Sequence, residues 1–193
     1  MILEAIVTTI AADGALNIAP MGPRVGEGMD RFVLRPFNTA QTYRNLRGHG
    51  EGVLHVTDDV LLLARAAVGR LDPLPPLRPA ERVRGWVLRD ACRYYEFRVT
   101  ACDDRAERAR LDAEVVGAGR LRDFFGFNRA KHAVVEAAIL ATRTALLPAE
   151  EVAAEYRKLA VLVEKTGGPQ ECEAFALLRE HVQQQYAHPP RAD

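Results

Sequence analysis

The sequence predicts an α+β protein in which an antiparallel β-barrel precedes a small α-helical subdomain. Three observations support this fold class. The first hundred residues carry short β-branched runs bounded by turn residues, only short helical stretches separate these runs, and from about Arg105 alanine and charged residues recur with helical spacing. Strands interrupted by short helices favour an antiparallel barrel over a parallel βαβ sheet. We therefore expect a barrel domain at residues 1–104, a helical subdomain at 105–187 and a disordered tail at 188–193.

The predicted strands of the barrel follow one another from the first residues. Residues 2–10 are rich in β-branched side chains, and Asp13-Gly14 after them is a tight-turn signal that leads into a second strand at 16–19. Further strands are predicted at 31–35, 52–57, 86–89 and 94–102, and short helices at 39–46 and 60–68. The prolines between residues 71 and 79 exclude a helix or a central strand, so we expect an extended surface loop there.

The helical subdomain is delimited by capping residues. Asn128 is a suitable N-cap for a helix that continues to about residue 141. Pro148 suits the first turn of the next helix, which Gly167 and Gly168 end, and Pro169 opens the last helix. The sequence thus predicts three or four helices after residue 105.

The composition is that of an ordinary soluble globular protein, with 48% hydrophobic and 27% charged residues among 193, and it excludes a disordered or fibrous chain. Twenty-six basic residues balance 26 acidic ones, so no basic excess favours nucleic acid or an anionic membrane. A neutral surface protects poorly against self-association, which favours a homo-oligomer. The three cysteines have no paired spacing, no signal peptide is recognisable, and no apolar run could span a membrane, so we predict a cytoplasmic protein with reduced thiols.

No hydrolytic or nucleotide-binding motif is present in the sequence. It contains no G-x-S-x-G, H-E-x-x-H, P-loop or G-x-G-x-x-G pattern, and we interpret Gly117-Ala118-Gly119 as a break between a helix and a loop. The five histidines lack metal-ligand spacing, so no metal site is predicted. His55 lies in a strand pattern and is interpreted as a satisfied core or interface histidine rather than as a ligand.

Two segments suggest a binding site. The first follows the second strand and consists of Asn17, Ile18, Ala19, Pro20, Met21 and Gly22. Proline cannot donate to a strand ladder, so the strand must end there or lie at an edge, and glycine permits close approach of another backbone or ligand. Exposed amides and carbonyls at a strand end can bind the hydrogen-bonding edge of a planar ring. The alternative is a strand that simply ends in a turn.

The second segment begins at Arg35, where a strand leads into a short helix. We expect Asn38 or Thr39 to cap that helix, which presents Thr42, Tyr43 and Asn45. Backbone amides at a helix start, hydroxyl groups and a guanidinium together suit a phosphate. The alternative is an ordinary helix start beside a solvated arginine. Because one segment suits a ring edge and the other a phosphate, a phosphorylated planar cofactor fits better than either half alone.

The ordered motifs resemble those of the FMN-binding split-barrel superfamily, which includes flavin reductases and pyridoxamine-phosphate oxidases. The similarity rests on NIAPMG at 17–22, TAQTYRNL at 39–46 and GEGVLHVTDD at 50–59. With FNRAKHAVVEAAILATR at 127–143 and EKTGG at 164–168, the whole chain is similar to a family of uncharacterised archaeal and bacterial FMN-binding proteins. This chain has His55 where flavin reductases often have asparagine, and Pro23-Arg24 beside the first motif.

The resemblance implies a homodimeric split barrel of the FMN-binding type, with FMN near the subunit interface. By this analogy, residues 17–22 lie along the isoalloxazine ring through main-chain contacts. The residues that would hold the ribityl chain and the phosphate are Arg35, Thr39, Gln41, Thr42, Tyr43 and Asn45.

Three functions remain open at this stage. The first is an FMN-dependent oxidoreductase of flavin-reductase type with a nicotinamide or another small-molecule electron partner. No specific catalytic residue is predicted, because the flavin itself carries such chemistry; Tyr43, His55 and His132 are the candidate proton donors. Arg129, Lys131 and His132 could contact an anionic second substrate or form a solvated helix face. The second function is a non-catalytic flavin or anion carrier or sensor, and an interaction protein that uses the helical subdomain ranks last.

Overall fold

A computed structural model describes residues 1–188, and the chain forms two compact units. The first unit combines Met1–Thr57 with Pro75–Phe124 and contains the β-strands and helix α1 (Gln41–His49). The second unit combines Asp58–Leu74 with the chain from Phe125 onward and contains the remaining helices. Helix α2 (Val60–Ala67) therefore belongs to the helical unit although four strands follow it in the sequence.

The first unit is built on one antiparallel sheet of seven strands in the order β2-β1-β5-β8-β9-β4-β3. Its strands are β1 (Ala5–Ile10), β2 (Leu16–Met21), β3 (Arg24–Val25), β4 (Arg31–Leu34), β5 (Glu51–Val56), β8 (Arg93–Asp103) and β9 (Arg110–Arg120). The N–H of Leu3 donates to the carbonyl of Pro23 and that of Val25 to the carbonyl of Met1, so the segment before β1 pairs with the β3 end of the sheet. This half-barrel confirms the predicted α+β class and split-barrel architecture.

The core of the first unit fills the inside of the curved sheet. Strand β1 is buried along its whole length, as its β-branched composition predicts. Phe32 and Phe97 meet edge to face with ring centroids 5.1 Å apart. Leu34, Leu54 and Leu111 are fully inaccessible around them. Burial of each such side chain contributes about 1.5–3 kcal/mol, so this cluster fixes the sheet on which the site is built.

The expected change to helix at Arg105 is wrong, because residues 110–120 form strand β9 instead. Leu111 and Ala113 point into the core while Arg110 and Glu114 are exposed, which is the two-residue alternation of a half-buried strand. The glycines interpreted as a helix break also lie in β9. A Cβ atom at Gly119 would overlap the Tyr94 ring on β8, so the pairing of β8 with β9 requires glycine there.

Three other boundaries differ from the prediction. Leu77–Pro79 in the predicted loop forms β6, which pairs with β7 (Trp86–Leu88) in a separate two-stranded sheet, where a proline is tolerated. The two-residue strand β3 was not predicted. Helix α1 begins at Gln41 rather than residue 39, because Asn38 and Thr39 form a turn in which the N–H of Ala40 donates to the carbonyl of Phe37.

The irregular loop between β6 and β7 is held by a buried carboxylate. Glu96 is only 1% exposed, and its oxygens accept hydrogen bonds from the backbone N–H groups of three consecutive residues, Glu81, Arg82 and Val83. Glu51 accepts from the N–H of Arg84 at 2.9 Å in the same loop. The loop therefore has its backbone donors satisfied by side chains instead of a ladder.

The second unit is a set of four helices, α2 (Val60–Ala67), α3 (Arg129–Ala141), α4 (Ala149–Thr166) and α5 (Pro169–Ala187). The predicted cap of α3 is confirmed: Asn128 Oδ1 accepts from the N–H of Ala130 at 2.8 Å and of Lys131 at 3.1 Å. Helix α4 ends at Gly167 and α5 opens with Pro169, also as predicted. Apart from His188, the predicted tail at 188–193 lies outside the described residues.

The interior of the helical unit is built from small side chains and two aromatic rings. Alanines of α3 are buried along its length, and the hydroxyl of Tyr156 donates to the carbonyl of Ala137 at 2.8 Å. Tyr156 and Phe175 pack with ring centroids 5.4 Å apart.

In the described part of the chain, no helix combines the length and apolarity needed to cross a membrane.

Candidate functional site

The start of α1 leaves its backbone donors open. Ala40 occupies the N-cap position with no side-chain hydrogen bond, so the predicted cap by Asn38 or Thr39 is wrong. No acidic residue lies in the first turn. Within residues 1–188, no acceptor faces the N–H groups of Gln41, Thr42 and Tyr43. Such amides and the positive end of the helix dipole attract an anion.

Three guanidinium groups surround the segment that leads into α1. Arg35 is exposed, and its guanidinium has no hydrogen bond or ion pair with any described residue. Arg44 donates through Nη1 to the carbonyl of Thr39 at 2.6 Å and through Nε and Nη2 to Gln41 Oε1. Arg108 lies over the Phe37 ring, with its Cζ 3.9 Å from the ring centroid. The helix start thus faces positive charge supplied from three places in the chain.

A buried polar cluster connects α1 to the strands beneath it. Asn17 Nδ2 donates to Thr42 Oγ1 at 3.0 Å and to Thr9 Oγ1 at 3.2 Å. Asn45 Nδ2 donates to the same Thr9 oxygen at 2.9 Å. Thr9, Thr42 and Asn45 are all buried. The two segments that the sequence suggested separately are therefore joined by direct hydrogen bonds.

Strand β2 places the first segment at the edge of the sheet. It pairs only with β1 among the described strands, and Pro20 without an N–H is tolerated in such an edge position. Ile18 anchors the strand in the core, while Ala19, Pro20 and Met21 are half-buried. The open edge beside Asn17 can therefore offer main-chain groups to a ligand.

The close approach expected at Gly22 is an internal one. A Cβ atom there would lie 3.1 Å from the Cγ2 of Ile2, so the glycine is fitted to the segment before β1.

Two predicted ligand residues are committed to other side chains. Gln41 Nε2 donates to Asn45 Oδ1 at 2.6 Å, while its Oε1 accepts from Arg44. Asn45 therefore uses its amide nitrogen for Thr9 and its amide oxygen for Gln41. Asn45 is buried and shapes the site from beneath the helix, whereas Gln41 is exposed and its Nε2 keeps a second N–H beyond the bond to Asn45.

Tyr43 is also engaged, and with it α1 is tied to the connection between β8 and β9. Its hydroxyl donates to Asp104 Oδ2 at 2.7 Å, and Arg47 Nε donates to the same oxygen at 3.3 Å. The Tyr43 hydrogen bond, together with Arg47, lowers the pKa of Asp104, and the bond to Asp104 raises the pKa of Tyr43. Tyr43 therefore positions the helix and keeps its proton.

His55 is a structural residue, as the sequence interpretation favoured. Its Nε2 accepts from the N–H of Leu88 at 3.1 Å, so the proton lies on Nδ1, which donates to the carbonyl of Ile6 at 3.2 Å. Burial lowers its pKa to about 4. The ring is neutral and fully bonded, and it cannot serve as a proton donor near neutral pH.

The basic residues at the start of α3 are divided between structural and solvated roles. Lys131 Nζ forms an ion pair with Glu171 at 2.9 Å and donates to the carbonyl of Asp58 at 2.7 Å. Arg129 and His132 are exposed. Lys131 thus belongs to the interior of the helical unit rather than to an open anion site.

A surface groove of about 560 Å³ lies elsewhere on the first unit, over strands β3, β4, β8 and β9. It is lined by Arg24, Arg31, Phe32, Val33, Thr100, Asp112, Ala113 and Glu114. None of the predicted site residues lines it.

Among the described residues, no group of three His, Cys, Asp or Glu side chains could hold a metal ion.

Sequence reasoning missed Thr9, Arg44, Asp104 and Arg108. A threonine pair in the otherwise apolar strand β1 was a signal for Thr9, because buried hydroxyls require polar partners. No local signal identifies Asp104 or Arg108, since each meets α1 or the segment before it from more than fifty residues away.

The half-barrel sheet with an open strand edge beside an uncapped helix defines the chain as a split-barrel protein of the FMN-binding type. It belongs to the family described as protein of unknown function DUF447. The N-terminal domain of that family matches residues 3–122, and its second domain matches residues 128–180.

The chain is similar over its length to a solved member of that family. The FMN-bound protein MM1853 from Methanosarcina mazei is 25% identical, with a TM-score of 0.80 over 93% of this chain and 94% of that one. No protein of curated function matches the sequence.

More distant structures share the fold alone. The 2-nitrobenzoate 2-nitroreductase NbaA from Pseudomonas fluorescens is 19% identical, with a TM-score of 0.51 over 60% of this chain and 63% of that one. The styrene monooxygenase flavin reductase from Pseudomonas putida S12 is 13% identical, with a TM-score of 0.51 over 62% and 80% of the two chains.

Proposed function

We propose that this protein binds FMN non-covalently and acts as a flavin-dependent oxidoreductase. The observation that carries the proposal is the hydrogen bond between Asn17 and Thr42, which brings the strand edge and the helix start together in one site. The FMN-bound family member of the same fold supports the choice of cofactor.

The residues present fit such a cofactor. Its phosphate would lie at the N–H groups of Gln41, Thr42 and Tyr43, where the helix start has neither a cap nor an acidic side chain to compete with an anion. Arg35 has an unpaired guanidinium within the described chain and would neutralise the phosphate charge. Thr39 is exposed at the turn before the helix and adds a hydroxyl.

The ring would lie along the edge of β2. The half-buried residues from Ala19 to Met21 would pack against the flavin ring. Main-chain groups of the unpaired side of β2 would bind the hydrogen-bonding edge of the ring. Bound flavin supplies hydride or electron transfer at its ring, and the protein supplies orientation and exclusion of water. Asn17 is held by Thr9 and Thr42 and would fix the position of the ring relative to the phosphate.

We further propose that the protein is a homodimer with a nicotinamide or another small molecule as its electron partner. The balanced charge of 26 basic and 26 acidic residues favours self-association. Light scattering of the purified protein tests the dimer, and a monomer at micromolar concentration would contradict it.

The first experiment is the absorption spectrum of freshly purified protein. Yellow protein that releases FMN on denaturation, and whose flavin is bleached by NADH or NADPH, supports the oxidoreductase. Colourless protein that takes up no FMN in a titration would contradict the proposal.

A second candidate function is a flavin carrier or sensor without turnover. It is favoured by the engagement of two of the three candidate proton donors, since Tyr43 donates to Asp104 and both ring nitrogens of His55 are bonded. Bound flavin that neither nicotinamide reduces would favour this function.

A double substitution tests the phosphate site. Arg35→Ala together with Thr42→Ala removes a guanidinium and a buried hydroxyl, and we expect FMN binding to weaken by about 3–5 kcal/mol, since charged hydrogen bonds contribute about 1.5–3 kcal/mol each. Fluorescence titration with FMN measures the change. Thr142→Ala with Arg157→Ala changes the same two residue types at exposed positions of the helical unit and is the control. Equal affinities for the two variants would show that the phosphate binds elsewhere.

A further inference from the structure

Arg108 reaches the segment before α1 from the connection between β8 and β9. An isolated bridge pairs Arg108 with Phe37, and the N–H of Asn38 donates to the carbonyl of Glu107 at 2.9 Å. The guanidinium of Arg108 lies over the Phe37 ring, and its Nη1 donates to the carbonyl of Arg35 at 3.4 Å. The side chain is therefore held at the point where β4 leads into the helix.

Arg44 and Arg108 differ in how many of their guanidinium N–H groups form hydrogen bonds within the protein. Arg44 uses Nε, Nη1 and Nη2 for Gln41 and Thr39, so it stabilises the turn. Arg108 makes a single long hydrogen bond to a carbonyl, which leaves most of its five N–H groups unused. No carboxylate within residues 1–188 forms an ion pair with it. Arg108 and Arg35 are thus the two open cations at this site.

The contact with Phe37 holds the Arg108 guanidinium in place, with its Cζ 3.9 Å from the ring centroid. A planar fork held over an aromatic ring loses little conformational freedom when it binds two oxygens of a phosphate, whereas a lysine ammonium would neither stack nor bind in that way. Phe37 is 37% exposed, and this ring is covered on one face by Arg108 rather than by the core.

We propose that Arg108 is a second guanidinium ligand of the phosphate and that, with Arg35, it makes the site select a phosphorylated flavin over riboflavin. This inference rests on the proposed function. The helix amides would bind the phosphate from one side, while Arg35 of the segment before the helix and Arg108 of the β8–β9 connection would neutralise its two negative charges.

The test compares the affinities of FMN and riboflavin, which differ only in the phosphate. Both are titrated by flavin fluorescence against the apoprotein of the wild type, Arg108→Gln and Arg108→Lys. We expect Arg108→Gln to weaken FMN binding by about ten- to hundredfold and to change riboflavin binding less than about twofold. Arg108→Lys should give an intermediate loss of FMN affinity, because charge remains without the stacked fork.

Arg105→Gln is the matched control. Arg105 is an exposed arginine of the same connection, but it is paired with Asp103 at 2.6 Å. It should leave both affinities unchanged.

Several results would overturn the inference. If Arg108→Gln weakens FMN and riboflavin equally, the residue acts through the local structure and does not bind the phosphate. If neither affinity changes while the wild type binds FMN, Arg108 lies outside the site and only the inference fails. If the wild type binds neither flavin, the proposed function fails and the inference fails with it.

Discussion

The starts of α1 and α3 both carry basic side chains, yet they differ in how their backbone donors are satisfied. At α3, Asn128 accepts from two amides, and Lys131 is paired with Glu171 inside the helical unit. At α1, Ala40 provides no acceptor and no acid lies in the first turn. A helix start with basic side chains can therefore bind an anion only where the backbone N–H groups of its first turn have no acceptor within the protein.

The same contrast holds within the first unit. His55 lies on β5, between β1 and β8 in the sheet, and its two ring nitrogens have a donor and an acceptor within the protein. The guanidinium of Arg35 has no such partner in the described chain. A polar side chain whose hydrogen-bonding groups all have partners within the protein has a structural role, whereas donors without such partners identify the candidate site. Three predictions use this distinction.

The largest effect is expected at Lys131. Lys131→Met leaves the Glu171 carboxylate, which is 9% exposed, without its cation, and we expect the helical unit to lose about 3 kcal/mol of unfolding free energy. Urea denaturation followed by far-UV circular dichroism measures this. Fluorescence of Trp86, the single tryptophan, reports the first unit separately.

The FMN affinity of Lys131→Met should equal that of the wild type. Adding Glu171→Gln, which removes the stranded charge but keeps an acceptor for the N–H of Gly168, should restore part of the stability. A loss of FMN affinity in Lys131→Met would contradict the assignment of the α3 start to a structural role.

His55 should make the first unit sensitive to acid. Burial lowers the pKa of His55 from 6.5 to about 4 in the folded protein, so the unfolded chain binds more protons between these values. The contribution of His55 to stability is complete above pH 6.5 and is lost as the pH falls towards 4, by about 2–3 kcal/mol.

The measurement is the difference in unfolding free energy between the wild type and His55→Gln at pH 7 and at pH 4.5. At pH 7 the wild type should have the larger unfolding free energy, and most of this difference should disappear at pH 4.5. A constant difference at the two pH values would show that His55 does not stay neutral in the folded state.

The smallest change in stability is expected for a substitution of Ala40, which should change the affinity for FMN more than it changes the stability. Ala40→Asp supplies the missing cap, so the first unit should gain about 0.5–1 kcal/mol while FMN affinity falls at least about tenfold, because a carboxylate then occupies the amides. Thermal unfolding and fluorescence titration measure the two quantities.

Asn128→Ala is the counterpart at α3. It removes an existing cap, so we expect a loss of about 1 kcal/mol with unchanged FMN affinity. If Ala40→Asp binds FMN as tightly as the wild type, the helix start is not the phosphate site.

The sequence predicts this fold well where local pattern determines it. The β-branched residues of β1 and the cap at Asn128 are recognisable without partners. Strand β9 is not, because its second half contains Gly117 and Gly119, whose place in a strand depends on side chains that pack over them, such as Tyr94.

The candidate site divides in the same way. Asn17 and Thr42 follow from local motifs, but the contact between them is tertiary. Arg108 is seventy-one residues from Phe37 in the chain, and only the pairing of their segments brings the two together. Gln41 and Asn45 have the right chemistry for ligands, yet they bond to each other, which no spacing rule could tell.

The Glu96 carboxylate gives the β6–β7 loop an unexpected kinetic property. Amide protons exchange with solvent, and proteases cut, only when backbone hydrogen bonds open. The N–H groups of Glu81, Arg82 and Val83 all donate to a carboxylate that is itself buried. Opening any one of them exposes the charge that holds the other two, so we expect this irregular loop to resist amide exchange and proteolysis more than an exposed loop normally does.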